Sequence, residues 1–128
     1  MVIRILENKR YEIWQGDCLQ LMKNISDRSI DMILCDLPYG VTAKNKWDTI
    51  IPYEPLWKQY VRIIKDNGAI VLFGQDKFTA ETMLSNKKYH RYNLIWKKVL
   101  PSGFLNANRM PLREHEEIMV FYKKLPTY

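Results

Sequence analysis

Apolar and polar residues along this chain follow two periods in turn. "YEIWQG" (11–16) switches residue by residue and stops at a glycine, which predicts a short strand. In "DCLQLMKNI" (17–25) Leu19, Met22 and Ile25 recur at helical spacing behind Asp17, a residue type that suits an N-cap. "IDMILCD" (30–36) is an almost unbroken apolar run and predicts a strand buried on both faces of a parallel sheet. A loop follows over 37–52, punctuated by Pro38, Gly40 and Pro52. "YEPLWKQYVRIIKDNG" (53–68) then places Leu56, Tyr60, Ile63 and Ile64 on one helical face, with Asn67-Gly68 as its stop.

"AIVLFG" (69–74) reads as the next strand and "QDKFTAETMLSN" (75–86) as a helix with Phe78, Thr82 and Met83 inward. "RYNLIWKK" (91–98) and "EEIMVFYKK" (116–124) are further strands. Between them, "VLPSGFLNANRMPLREH" (99–115) is a long loop for a small domain, which points to function or mobility. Strand and helix alternate, so the predicted fold is α/β, a mostly parallel sheet with helices on both faces. Ligands collect outside the carboxyl ends of such strands, and Asp17, Asp36 and Gly74-Gln75-Asp76 all fall there.

Composition narrows the class. A chain of 128 residues, 47% of them hydrophobic, is long enough for one domain with its own core and too apolar for disorder. Apolar runs such as "AIVLF" (69–73) are too short to cross a bilayer, and "MVIRILENKR" lacks a signal-peptide cleavage pattern. No membrane association is expected. Cys18 and Cys35 read as reduced thiols of a cytoplasmic protein. His115-Glu116 lacks the spacing and the third ligand of a metal site, so no metal is expected.

Charge adds a direction. Residues 1–84 are neutral overall, and the entire net charge of +6 lies in residues 85–128. A basic third beside a neutral two-thirds fits a polyanion such as DNA, or an ordinary solvated lysine surface.

The sharpest chemistry is at residues 36–39. Asp36 offers two acceptor oxygens and Leu37 a backbone carbonyl, Pro38 stiffens the turn, and Tyr39 presents a flat ring. Acceptors fixed beside a stacking surface suit a planar group with an exocyclic NH2, which a nucleobase carries.

"DLPYG" resembles the Asp-Pro-Pro-Tyr motif of the DNA amino-methyltransferases, which methylate the exocyclic nitrogen of adenine or cytosine. "GDCLQLMKNISDRSIDMILCDLPYG" is similar to that family's lead-in, "KWDTIIP" to the segment after the motif, and "GAIVLFGQ", "LIWKK" and "REHEEIMVFYKKLPTY" to its following strands. The resemblance runs from about residue 11 to the end and implies a Rossmann-like methyltransferase sheet, S-adenosylmethionine as cofactor and DNA as substrate. It implies that a flipped base stacks on Tyr39 while its amine donates to Asp36 and the Leu37 carbonyl, with Pro38 holding the turn. Aspartate at the first motif position goes mostly with N6-adenine in this family. Asp17 resembles the acidic residue that contacts the cofactor's adenine portion, and Asp36 borders the same site. Lys44, Lys46, Asn108 and Arg109 are candidates for DNA phosphates, and Phe104 for covering the base opposite Tyr39.

Two departures stand out. Leu37 replaces the motif's first proline, and a main-chain carbonyl survives that change. The family's Phe-x-Gly-x-Gly cofactor loop is missing, since none of the glycines at 16, 40, 68, 74 and 103 are two apart. The expectation is therefore a single, partial catalytic domain over 1–128, the N-terminal half of a longer enzyme, with an apolar sheet edge that seeks the missing half or a second copy. A nucleic-acid-binding remnant without activity, or methyl transfer to another planar amine or amide (N4-cytosine, protein glutamine), are the competing readings.

Overall fold

The computed structural model describes residues 3–7, 10–42 and 46–126. The strands are β1 (Ile3–Glu7), β2 (Glu12–Gln15), β3 (Ile30–Cys35), β4 (Ile64–Gly74), β5 (His90–Ser102) and β6 (Arg113–Phe121). The helices are α1 (Cys18–Leu21, continuing as a 3₁₀ turn over Met22–Asn24), α2 (Tyr53–Ile63) and α3 (Asp76–Ser85). β1 and β2 form an antiparallel pair, and the other four strands form one sheet in the order β3-β4-β6-β5.

The expected α/β sheet is present, with two differences in its detail. It is mixed, not mostly parallel: β3 runs parallel to β4, whereas β4–β6 and β5–β6 are antiparallel. Its described helices also lie on one face. Within β4 the alternation sends Ile70 and Leu72 into the helix-side core and Val71 and Phe73 to the other side. β3 follows suit: Ile33 and Cys35 pack on the core, but Met32 and Leu34 are 53% and 62% exposed. The run predicted to be buried on both faces is buried on one.

Element boundaries moved where strand pairing outcompeted helix propensity. α2 stops at Ile63 because Ile64 already pairs with Ile30 of β3. The Asn67-Gly68 stop signal thus sits inside a strand, and a Cβ at Gly68 would lie 2.7 Å from the Asp31 carbonyl. β5 runs on to Ser102, which pairs with Arg113, and the expected loop 99–115 shrinks to 103–112.

Leu56, Trp57, Tyr60 and Ile63 of α2 and Phe78 of α3 pack on Ile70, Leu72, Met119 and Phe121. Leu72, Met119 and Phe121 are fully buried, each contributing roughly 1.5–3 kcal/mol. Polar contacts lock the helices together: Trp57 Nε1 donates to Ser85 Oγ (2.8 Å), and the Tyr53 and Thr82 hydroxyls meet at 2.9 Å. Arg62 of α2 donates to the Met22 and Ile25 carbonyls (both 2.8 Å) and to Asp27 Oδ1 (2.6 Å), fixing the exit of α1.

Candidate active site

β3 delivers its last residues in strand alternation. Cys35 points to the core, Asp36 is exposed just past the strand, and the Leu37 side chain returns into the core, 6% exposed. A buried anchor at Leu37 explains how the turn keeps its course without the motif's first proline. Leucine supplies the carbonyl and a hydrophobic plug together.

Tyr39 is half-buried, and its ring stacks on Phe78 of α3 with centroids 4.7 Å apart and planes inclined by 25°. Burial holds the Tyr39 hydroxyl protonated well above the usual tyrosine range, reinforced by the Asp36 and Glu116 carboxylates and by its hydrogen bond to Asp36. Glu116 in turn forms an ion pair of 2.6 Å with Lys98 across β5 and β6. Phe78 therefore backs one face of the Tyr39 ring.

After Tyr39 the chain doubles back. Gly40 adopts φ +71°, and a Cβ there would lie 2.8 Å from Ile50 Cγ1, so glycine is required twice over. Asp48, 9% exposed, closes the loop: Oδ1 accepts from Gly40 N (2.9 Å) and Oδ2 from Thr42 N (2.6 Å). Those N–H groups hold its carboxyl below the usual range. The result is a cavity of about 360 Å³ lined by residues 36–39 together with Trp47 and Asp48. That size lies within the range of small-molecule sites, about 300–1,000 Å³. Tyr39 also borders a second cavity with Asp76, Phe78, Met110 and Arg113. There Asp76 takes φ +51° at the head of α3 and pairs with Arg113 at 2.9 Å.

The structure treats the other predicted residues unevenly. Asp17 caps α1, accepting from Leu19 N at 2.8 Å. Burial raises the Cys18 thiol pKa, and Asp17 and Cys35 add to it. Asp17 does not line the motif cavity. Lys44 lies outside the described residues, and Lys46 is exposed and lines no cavity with the motif. Phe104, Asn108 and Arg109 are exposed on the 103–112 loop, and Phe104 borders neither cavity that Tyr39 borders. Met110 is the loop residue that reaches Tyr39's surroundings.

Asp48, Glu116 and the ring contact of Phe78 were not foreseen as site features. Phe78 was legible as an inward position on its helix, but its partner depended on topology. Asp48 lies in the "KWDTIIP" segment, but its residue type marked no role there, since an aspartate in a polar loop ordinarily points to water. Among the described residues no cluster of three or more His, Cys, Asp or Glu could hold a metal ion, and no helix is long and apolar enough to cross a membrane.

Residues 30–128 match the family model for N6/N4 methyltransferases, described as DNA methylase. The type II methyltransferase M2.MboI of Moraxella bovis is 32% identical over 119 residues, spanning 74% of this chain and 44% of that protein. In fold the chain resembles the cytosine-N4-specific PvuII DNA methyltransferase, with TM-score 0.68 at 16% identity over 88% of this chain and 49% of the other. It also resembles M1.HpyAVI, solved as a SAM complex, with TM-score 0.61 at 19% identity over 88% and 55%. The chain thus spans about half the length of the proteins it resembles.

Proposed function

This chain belongs to the N6/N4 DNA methylase family, and from that premise we propose that it is the amine-holding half of an enzyme that methylates the N6 amine of adenine in DNA. The observation that carries the reading is the corner at the end of β3, where Asp36, Leu37 and the Phe78-backed Tyr39 border one cavity. A flipped adenine stacks on the face of Tyr39 opposite Phe78. Its amine donates one hydrogen to Asp36 and one to the Leu37 carbonyl, which fixes the nitrogen and frees its lone pair to face the methyl donor. As the nitrogen becomes positive, the Asp36 carboxylate stabilises it and lies at hand for the proton it must shed.

The family uses S-adenosylmethionine, which when bound supplies the electrophilic methyl. The residues present fit part of that cofactor. The Asp17 and Asp36 carboxylates suit hydroxyl and amine donors of its adenosine portion. A cradle for the methionine end is not supplied by the described residues. At Gly74 a Cβ would meet Met119 Cε and Thr79 Oγ1, both at 2.6 Å, so that space is filled by the chain's own side chains.

The sheet face that the described residues leave open supports the same reading. Met32, Leu34, Val71, Phe73 and Leu94 line an apolar groove of about 420 Å³ opposite the helices. Contiguous apolar side chains on an exposed face mark a surface that another segment or partner covers. The occupant we assign is the remaining half of the methyltransferase, about as long as this chain by comparison with its relatives.

Labelled methyl transfer to DNA tests the function, using this chain joined to the rest of a family member. Hydrolysis should release N6-methyladenine. N4-methylcytosine would move the substrate to cytosine, and a labelled protein side chain with unlabelled DNA would overturn the reading.

A further inference from the structure

Asp48 is the costly group in the motif loop. Besides Thr79 and Thr82 it is the only buried polar or charged residue among the described residues, and both its neighbours, Trp47 and Thr49, are exposed. A carboxylate placed out of water in a surface loop loses hydration, and only charge-assisted hydrogen bonds offset that loss. Its two oxygens accept from Gly40 N at 2.9 Å and Thr42 N at 2.6 Å, the amides that directly follow Tyr39 and Val41. Asparagine, the neutral side chain of that size, has a single acceptor oxygen and cannot offer each N–H its own.

The same residue belongs to the lining of the motif cavity. Residues 36–39, Val41 and Thr42 line it together with Asp48 and the 72%-exposed Trp47, and the Asp48 carboxylate ties the two stretches of chain together. On the far side of the turn, Ile50 presses on Gly40 at its positive φ. The turn after Tyr39 is therefore gripped from two directions. We propose that Asp48 is the positioning residue of the amine-binding corner: its carboxylate sets the course of the Gly40–Thr42 backbone and thereby holds the Leu37 carbonyl and the Tyr39 ring in register with Asp36. The assignment rests on the reading of the corner given above and adds the group that keeps it in shape. Displacement by about 1 Å at such a site costs on the order of 100-fold in rate.

Backbone and ring NMR on this chain tests the placement without requiring catalysis, comparing wild type with Asp48→Asn and Asp48→Ala. The Gly40 and Thr42 amides should exchange about tenfold faster or more in both variants. The Leu37 amide and the Tyr39 ring signals should shift or broaden, while Leu72, Met119 and Phe121 stay in place. Asp48→Asn keeps the side-chain shape, so it carries the comparison should Asp48→Ala not fold. Tyr39 and Leu37 signals unchanged in Asp48→Asn would overturn the proposal, as would a shift of the core signals to the same extent, which marks a general structural role. A wild-type chain that fails to methylate DNA when completed would remove the functional reading and leave this NMR result standing.

Discussion

Two loops leave the carboxyl-edge region of this sheet, and they are made differently. The loop after β3 is tied down at each step: Leu37 is plugged into the core, Tyr39 lies on Phe78, and Asp48 bonds the backbone of Gly40 and Thr42. The loop between β5 and β6 is held by turn hydrogen bonds within itself, and only Met110 reaches the cavity beside Tyr39 among its described residues. Its 3₁₀ turn carries Phe104 at 66% exposure, and Leu105 and Arg109 are exposed too. Both loops combine an aromatic with polar or basic residues, so sequence alone favours both as functional. Burial separates them. The first can hold an atom to within a fraction of an ångström, and the second is suited to a partner that orders it on contact.

Substitutions that break this contrast should rank accordingly. Tyr39→Ala removes the stacking surface and should lower methyl transfer by the completed enzyme about 10–100-fold, matching roughly 1–3 kcal/mol for base stacking. Single-turnover kinetics would measure it, and an unchanged rate would place the base elsewhere. Gly40→Ala forces a side chain into positive φ against Ile50 Cγ1, and thermal unfolding should show a loss of about 1–3 kcal/mol. The same change at Gly103, where φ is +90° but nothing lies within 4 Å, carries the backbone cost without the clash and should cost less.

Acid should act on the first loop late. The Asp48 carboxyl is lowered in the folded state, chiefly by the Thr42 and then the Gly40 N–H. Its contribution is complete above the ordinary aspartate value of about 3.9 and is lost only as pH falls through the lower folded value. The Gly40 and Thr42 amides should stay protected at pH 5 and be released only in stronger acid. Release already between pH 5 and 6 would show that the carboxylate is not what holds them. In the second loop, Phe104→Ala should leave stability within about 0.5 kcal/mol. Arg109→Ala should weaken DNA binding mainly at low salt and flatten the salt dependence by about one unit.

The positions of site residues were legible where local chemistry decides them. Asp17 as an N-cap and Asp36 past a strand end follow from residue type and period, and both are where the pattern put them. The α/β alternation was legible for the same reason. Strand direction was not, because β6 inserts between β4 and β5 and pairs with β4 through contacts more than 40 residues apart, and apolar runs look alike in either orientation. Burial on two faces was inferred for β3 from its unbroken apolar run. Among the described residues nothing buries Met32 and Leu34, which line the groove on the face opposite the helices. Asp48 escaped because its role lies in the backbone of a loop eight residues away.

The most direct test of the central claim is methyl transfer by Asp36→Ala, read alongside DNA affinity in the same preparation. Asp36 is exposed and its removal leaves the core intact, so folding and DNA binding should be retained. If Asp36 holds the target amine, the single-turnover rate should fall on the order of 100–1,000-fold, as when a preorganised transition-state partner is removed. Methyl transfer at the wild-type rate would contradict the account.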